Sequence, residues 1–176
     1  MPDAELDTPL WAFSLSVYGR DGVADECLGL QERLTLDVNL LLFVAFAGAV
    51  DGVQLDARDI ASANAAVAGW HGEIVRNLRA ARRALKAPGT DAGNPLRGPS
   101  AALRTQVKAA ELDAEKIEQA MLWQWSRAQL AGRPRSDIDQ ALAANLRGLL
   151  EFYGATDAAT AACPRLLDEA ASYARA

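Results

Sequence analysis

The chain has 176 residues, of which 51% are hydrophobic and only 6% aromatic, and its net charge is −5. A chain of this length usually forms one domain, so we expect residues 1–176 to fold as a single unit. The longest apolar run, residues 40–50, is about half the roughly 20 residues that cross a membrane. Composition therefore argues against a membrane-spanning protein.

The cysteines and the N-terminus indicate the cellular compartment. Cys27 and Cys163 lie far apart and lack the spacing of a disulfide framework. The first seven residues are acidic and contain no apolar segment of a secretory signal. We therefore expect buried, reduced thiols and a cytoplasmic protein.

Two short helices are predicted at the start of the chain. Thr8 followed by Pro9 is typical of a helix N-terminus, and this helix should end at Gly19. Asp21 or Gly22 opens the second helix. Its inward residues are expected to be Val23, Cys27, Leu28, Leu30 and Leu34.

The apolar run at residues 40–50 predicts the helix at the centre of the fold. The run is long for a strand and its neighbours have helical spacing, so we expect a helix buried on all sides. Thr35 or Asp37 should cap this helix, and Asn39 and Phe43 should be buried within it.

Residues 56–86 have the most regular apolar spacing in the chain and predict a long amphipathic fourth helix. Cations occupy its opposite side, where water should solvate them, so replacing Arg79, Arg83 and Lys86 should barely change stability. The apolar stripe comprises Ile60, Val67, Trp70, Ile74, Leu78, Ala81 and Leu85.

Residues 87–99 are rich in Gly and Pro and should form a flexible loop that leads into a fifth helix over residues 100–132. The fourth and fifth helices should pack as an antiparallel hairpin. The first apolar stripe of the fifth helix runs from Leu103 to Ala128. A second apolar line, Leu112, Trp123 and Leu130, needs another partner, either the C-terminal helices or a second subunit of a homodimer.

Two helices should complete the chain. Ser136 should cap a helix over residues 137–153, and Thr156 should open a last helix that kinks or restarts at Pro164. Together these elements predict an all-α, single-domain bundle of six or seven helices.

The window of residues 76–108 concentrates positive charge. It contains eight basic residues and one acid, a net charge of +7, so the rest of the chain carries −12. Such asymmetry can steer an anionic partner, although a solvated helix face explains the same pattern. The candidate binding residues of this basic tip are Arg76, Arg79, Arg82, Arg83, Lys86, Arg104 and Lys108.

A second group of candidates is polar and lies on the first three helices. Asp37 and Asn39 would lie about 200° apart on a helix, so helix capping and satisfaction of a buried neighbour explain them. The alternative is a buried polar network near a pocket, which would fix the helix arrangement or bind a small ligand. This network would comprise Ser14, Tyr18, Gln31, Asp37 and Asn39.

Glutamates recur on one side of the fifth helix. Glu111, Glu115 and Glu118 would form a solvated face or pair with Arg76 and Arg79 across the hairpin.

His71, the only histidine, lies beside the apolar stripe and has no Cys or His companion at ligand spacing. The chain contains no glycine-rich phosphate loop and no nucleophile motif. We therefore expect no metal and no cofactor, and we assign no catalytic residue.

Several motifs spread over about residues 9–125 are shared with a known family. They are Trp11-x-Phe13-Ser14-x-x-x-Tyr18, Cys27-Leu28-x-Leu30-Gln31, Asp37-Val38-Asn39-Leu40-Leu41-Leu42-Phe43, Leu78-Arg79-x-x-Arg82-Arg83-x-Leu85-Lys86 and Glu111-Leu112-x-x-Glu115. This part of the chain resembles a bacterial, mostly proteobacterial, family of short helical proteins known only as a domain of unknown function. The resemblance implies a small all-helical fold and brings no activity or catalytic residue with it.

The sequence favours a non-enzymatic binding or adaptor protein whose basic tip meets an acidic protein or a phosphate-bearing partner. One alternative is sequence-independent nucleic-acid binding, which is less favoured because no aromatic residues are interleaved with the arginines. The other is a small-molecule pocket or an enzyme built around the polar residues of the first three helices.

Overall fold

The computed structural model describes residues 5–85, 97–155 and 163–176, and these ranges contain helices and no strands. The predicted all-α bundle is therefore confirmed. A π-helical segment, His71–Val75, joins two of the helices end to end. The α-helices are α1 (Pro9–Tyr18), α2 (Val23–Leu34), α3 (Val38–Ala49), α4 (Ala57–Trp70), α5 (Arg76–Ala84), α6 (Arg97–Gln129), α7 (Ile138–Phe152) and α8 (Pro164–Arg175).

The helix starts follow the capping residues in the sequence. Thr8 Oγ1 accepts a hydrogen bond from the Trp11 backbone N–H at 3.1 Å, which satisfies one of the free donors of the first turn. Asp37 caps α3 in the same way, through the backbone N–H of Asn39 at 2.8 Å. The cap of α7 is Asp137 and not Ser136 as predicted.

Helix α3 forms the centre of the bundle, as its apolar run predicts. Every residue from position 39 to position 49 is buried. The ring centroid of Phe43 lies 5.8 Å from that of Trp125, and Phe46 packs edge-on against both Phe13 and Trp123. Helices α1, α6, α7 and α8 thereby enclose α3, because each places part of its apolar surface against it.

Helix α7 approaches α3 most closely at a glycine. A Cβ atom added at Gly48 would lie 2.7 Å from Leu142 Cα, a separation that real Cβ atoms essentially never show. The backbones of the two helices can meet at this point because Gly48 has no side chain.

The predicted antiparallel hairpin is confirmed. Trp125 Nε1 donates to Ser62 Oγ at 3.1 Å near the start of α4, and Trp70 Nε1 donates to the Ala114 carbonyl at 2.9 Å near its end. Residue numbers rise on one helix as they fall on the other, so α4 and α5 run antiparallel to α6.

The π-helical segment shifts the buried side of the hairpin by one residue. An uninterrupted α-helix would bury Ile74, Leu78 and Ala81, but Ile74 is 37% exposed and Ala81 is exposed. The inward positions are instead Val75, Arg79 and Arg82, each one residue further along. One extra residue in a helix turns all that follow by about 100°, which explains why the predicted stripe is wrong at Ile74 and Ala81, while Leu78 and Leu85 are half-buried.

Other apolar predictions also fail at particular positions. Leu28 and Leu103 are 42% and 48% exposed, although both were expected inside. In the second apolar line of α6, Leu130 is buried and Trp123 packs on Phe46, so only Leu112, at 50% exposure, faces outward.

The remaining segment predictions concern the loop and the last helix. Residues 97–99 are helical, since α6 begins at Arg97, while residues 86–96 lie outside the described ranges. The predicted opening at Thr156 lies outside them too, and α8 begins at Pro164. Among the described helices, none combines the length and apolarity that crossing a bilayer requires.

Candidate binding cleft and buried polar cluster

A cavity of about 510 Å³ lies between α1–α3 on one side and the α5–α6 hairpin on the other. We call it the cleft. It brings together most of both candidate groups, which the sequence analysis treated as separate. Its lining includes four residues of the polar group, Ser14, Tyr18, Gln31 and Asn39. It also includes four residues of the basic tip, Arg79, Arg82, Arg83 and Lys108.

The other candidates lie elsewhere. Asp37 is buried and does not line the cleft. Arg76 is exposed, and Arg104 is half-buried on α6. Lys86 falls outside the described residues.

Arg79 is held inside the hairpin and not on its solvated face. Its side chain is only 16% exposed, and Nη2 donates to Glu115 Oε1 at 2.7 Å while Nε donates to Glu111 Oε1 at 3.1 Å. The third contact of the guanidinium is to Gln31 Oε1 on α2. Arg79 therefore links the hairpin to the N-terminal helices.

Arg82 completes this set of ion pairs by donating to Glu111. Burial would raise the pKa of Glu111, but hydrogen bonds from Arg82 and Arg79 outweigh it, so the pKa falls below its usual value. Burial raises the pKa of Glu115 in spite of its contact with Arg79. The predicted pairing across the hairpin is confirmed for Arg79, which binds Glu111 and Glu115, but among the described residues neither Arg76 nor Glu118 forms such a pair. The interpretation as a solvated face is wrong for Glu111 and Glu118, which are buried.

The lining of the cleft retains a positive charge after this pairing. Four cationic side chains and two carboxylates line it, a formal charge of +2. Arg83 and Lys108 are exposed and form no ion pair with a described carboxylate. These two cations are the ones positioned to meet an anion.

The wall of the cleft is otherwise partly apolar. Leu15, Leu28 and Leu112, from three different helices, line it with exposures of 55%, 42% and 50%. Single exposed leucines are ordinary, but three that face one cavity form an apolar surface open to a ligand.

Two polar atoms in the wall have no hydrogen-bond partner among the described residues. They are Ser14 Oγ and Gln119 Oε1, in residues that are 3% and 1% exposed. Buried polar atoms are nearly always paired in folded proteins, so each unpaired one requires an explanation. Both residues line the cleft.

Behind the wall lies a cluster that the sequence analysis missed. Asp37 from the start of α3, His71 from the π-helical segment and Glu118 from α6 place one ligand atom each within 4.8 Å of one another. His71 Nδ1 lies 3.1 Å from Glu118 Oε1 and 3.4 Å from Asp37 Oδ2. We call these three residues the buried cluster.

Asn39 holds both carboxylates of the buried cluster. Its backbone N–H donates to Asp37 Oδ1 at 2.8 Å, and its side-chain Nδ2 donates to Glu118 Oε2 at 2.7 Å. Gln119 Nε2 in turn donates to Asn39 Oδ1 at 3.0 Å. Of the predicted polar network, Asp37 and Asn39 are joined by a hydrogen bond, whereas Gln31 binds Arg79 and Ser14 Oγ has no partner among the described residues. Asn39 and Gln119 connect the buried cluster to the wall of the cleft.

The groups of the buried cluster shift one another's pKa values. Burial, followed by the neighbouring negative charge of Glu118, raises the pKa of Asp37 well above its usual value. Burial alone would lower the pKa of His71, but the hydrogen bond with Glu118 and the charge of Asp37 outweigh it and raise the pKa.

The buried cluster cannot be recognised from sequence spacing, because the partners of His71 are carboxylates on other helices. Glu118, for example, is 47 residues away. One signal was available. Glu111 and Glu118 stand at heptad spacing with Ala114 and Trp125, so they fall on the side of α6 that faces the bundle.

Comparison with known proteins gives a family and no function. The family model described as "Protein of unknown function (DUF2390)" matches residues 9–122, close to the range of the resemblance seen in the motifs. The match covers more than half of the chain, which therefore belongs to this family. Neither the curated proteins nor the solved structures gave a match.

Proposed function

We propose that this member of the DUF2390 family is a non-enzymatic binding protein whose cleft takes a small anionic amphiphile. Such a ligand has a carboxylate or phosphate group and an apolar body. The observation that supports this proposal is the convergence on one cavity of three exposed leucines, two cations that pair with no described carboxylate, and two wall atoms without a hydrogen-bond partner among the described residues.

The size of the cleft suits a small molecule. Ligand sites typically have volumes of about 300–1,000 Å³ and are apolar apart from a few placed polar groups. The cleft, at about 510 Å³, falls within this range. Arg83 and Lys108 would bind the anionic group, and the leucines would cover the apolar body. Ser14 Oγ would donate a hydrogen bond to the ligand, or Gln119 Oε1 would accept one.

The pairing of Arg79 and Arg82 weakens the nucleic-acid alternative. Phosphate contacts along a strand need a row of available cations, and the glutamates of α6 already neutralise these two. The ion pairs that Arg79 and Arg82 form with these glutamates instead belong to the lining of the cleft.

The experiment measures binding of dodecanoate and dodecyl phosphate by isothermal titration calorimetry. The double variant Arg83→Gln/Lys108→Gln should bind at least tenfold more weakly, a change of ~1.4 kcal/mol. The matched control is Arg58→Gln/Arg147→Gln, which removes the same charge from exposed positions outside the cleft. Equal affinity of the two double variants would refute the proposal.

A second candidate, an acidic amphipathic segment of a partner protein, is favoured by the exposure of Leu15, Leu28 and Leu112 at the edge of the cleft. An acidic helical peptide with leucines at positions i, i+3 and i+7 is the probe. Binding of this peptide without binding of either amphiphile would select the partner protein over the small molecule.

A further inference from the structure

The buried cluster has more acceptors than donors. His71 Nδ1 can carry one hydrogen, yet Glu118 Oε1, Glu118 Oε2 and Asp37 Oδ2 lie 3.1, 3.4 and 3.4 Å from it. Asp37 Oδ2 has no hydrogen-bond partner among the described residues, although Asp37 is only 4% exposed. A carboxylate oxygen without a hydrogen bond in the interior costs free energy, which a cation bound at this oxygen would offset.

Asn39 fixes the orientation of both carboxylates. Its backbone N–H donates to Asp37 Oδ1 and its side chain donates to Glu118 Oε2, so the other two oxygens, Asp37 Oδ2 and Glu118 Oε1, face His71. Hydrogen bonds that hold ligating carboxylates in this way are typical of the surroundings of protein-bound metals.

The distances from His71 Nδ1 to the two carboxylates fit a metal ion, and one ligand atom of each residue lies within 4.8 Å of the others. A tetrahedral ion with bonds of about 2.0–2.1 Å to N and O keeps its ligand atoms about 3.3–3.4 Å apart. The distances from His71 Nδ1 to the two carboxylates are 3.1 and 3.4 Å. His71 also begins the π-helical segment, and such segments occur frequently at functional sites.

We propose that Asp37, His71 and Glu118 form a binding site for one divalent transition-metal ion, with Zn²⁺ preferred over Mn²⁺. One imidazole nitrogen and two carboxylates suit this class, since Mg²⁺ and Ca²⁺ select oxygen ligands alone. Two carboxylates and a neutral imidazole also balance the +2 charge of the ion. The site does not depend on the proposed ligand of the cleft, from which it is separated by Asn39 and Gln119.

The test uses the untagged full chain after chelator treatment, titrated with Zn²⁺ alone and with Mn²⁺ alone by calorimetry. We expect one Zn²⁺ per chain with a Kd below about 10 μM, and weaker Mn²⁺ binding in line with the Irving–Williams order. Glu118→Gln, which conserves volume, should weaken Zn²⁺ binding at least a hundredfold. Glu73→Gln, at an exposed acid of the same π-helical segment, should leave it unchanged.

A second measurement does not depend on any variant folding. His71 is the only histidine of the chain, so its ring nitrogens give one unambiguous set of NMR signals. Zn²⁺ at Nδ1 should shift that nitrogen and leave the proton on Nε2 at one equivalent of metal. Absence of a saturable change in these signals, or Zn²⁺ binding that survives Glu118→Gln, would overturn the site.

Discussion

Arg79 Nε donates to Glu111 Oε1 at 3.1 Å across the hairpin, between two side chains that are 16% and 7% exposed. This contact gives a first prediction. Arg79→Gln should destabilise the protein by about 1–3 kcal/mol, because it leaves Glu115 without its ion-pair partner and removes one of the two arginines that bind the buried Glu111. Arg83→Gln, at an exposed position of the same helix, should change stability by less than about 0.5 kcal/mol. Urea unfolding of the two variants measures both values, and equal losses would place Arg79 on the surface as the sequence suggested.

A second prediction concerns the approach of α3 and α7. Gly48→Ala should destabilise the protein by about 1–3 kcal/mol, because its Cβ would press on the backbone at Leu142 and force the helices apart. Gly29→Ala in α2 is the matched control, since nothing lies within 4 Å of its added Cβ. That change should be neutral or stabilising by up to about 1 kcal/mol. Thermal unfolding of both variants measures this difference in stability. Equal stability of the two variants would mean that α3 and α7 can move apart without cost.

A third prediction concerns the thiols, which are fully buried as the sequence analysis expected. Burial raises the pKa of Cys27 to about 12 and that of Cys163 to about 11, so neither is a thiolate near neutral pH. Ellman's reagent at pH 8 should therefore modify no thiol of the native protein and two after addition of guanidinium. Rapid labelling of one thiol without denaturant would contradict the packing of α2 against α8.

A fourth prediction concerns acid. Asp59 is buried at the start of α4 and accepts from Arg133 Nη1 at 2.6 Å and from Nη2 at 2.7 Å. Burial would raise the pKa of Asp59, but the bonds from Arg133 outweigh it, so the folded-state pKa lies below the unfolded value of about 3.9. The ion pair between Asp59 and Arg133 therefore contributes its full stabilisation above about pH 4. This contribution is lost as pH falls through the folded-state pKa of Asp59.

The comparison of Asp59→Asn with the wild type tests this sign. The variant should be less stable at pH 7, and the difference should shrink when urea unfolding is repeated below pH 3. A difference that stays constant across this range would mean that the ion pair with Arg133 does not depend on the charge of Asp59.

The sequence predicted those parts of the fold that depend on local signals. The starts of α1 and α3 follow from the side chains of Thr8 and Asp37, which can accept the first free N–H groups. The burial of α3 follows from an apolar run with no polar side. Its neighbours had to be helices, because their apolar residues recur at helical spacing.

The candidate site was predicted only in part, because its geometry depends on distant contacts. Gln31 and Arg79 are both candidates in the sequence. No local signal shows that the guanidinium of Arg79 donates to Gln31, which is 48 residues away. The burial of Glu118 was not predicted, because its partners, Asn39 and His71, come from other helices. A polar residue on the inner side of a helix is predicted to be exposed to solvent until its hydrogen-bond partners on other helices are known.

The π-helical segment lets the helix from α4 to α5 hold one residue more than a regular α-helix while both parts keep their buried faces. Deleting one residue from 71–75 would therefore restore a regular α-helix and leave Arg79 and Arg82 facing Glu111. Straightening the segment without a deletion would instead turn α5 by about 100° and separate both arginines from Glu111. A related chain with a one-residue gap at this point would carry the same arginines one position earlier, so alignments that ignore the gap would match residues on different faces.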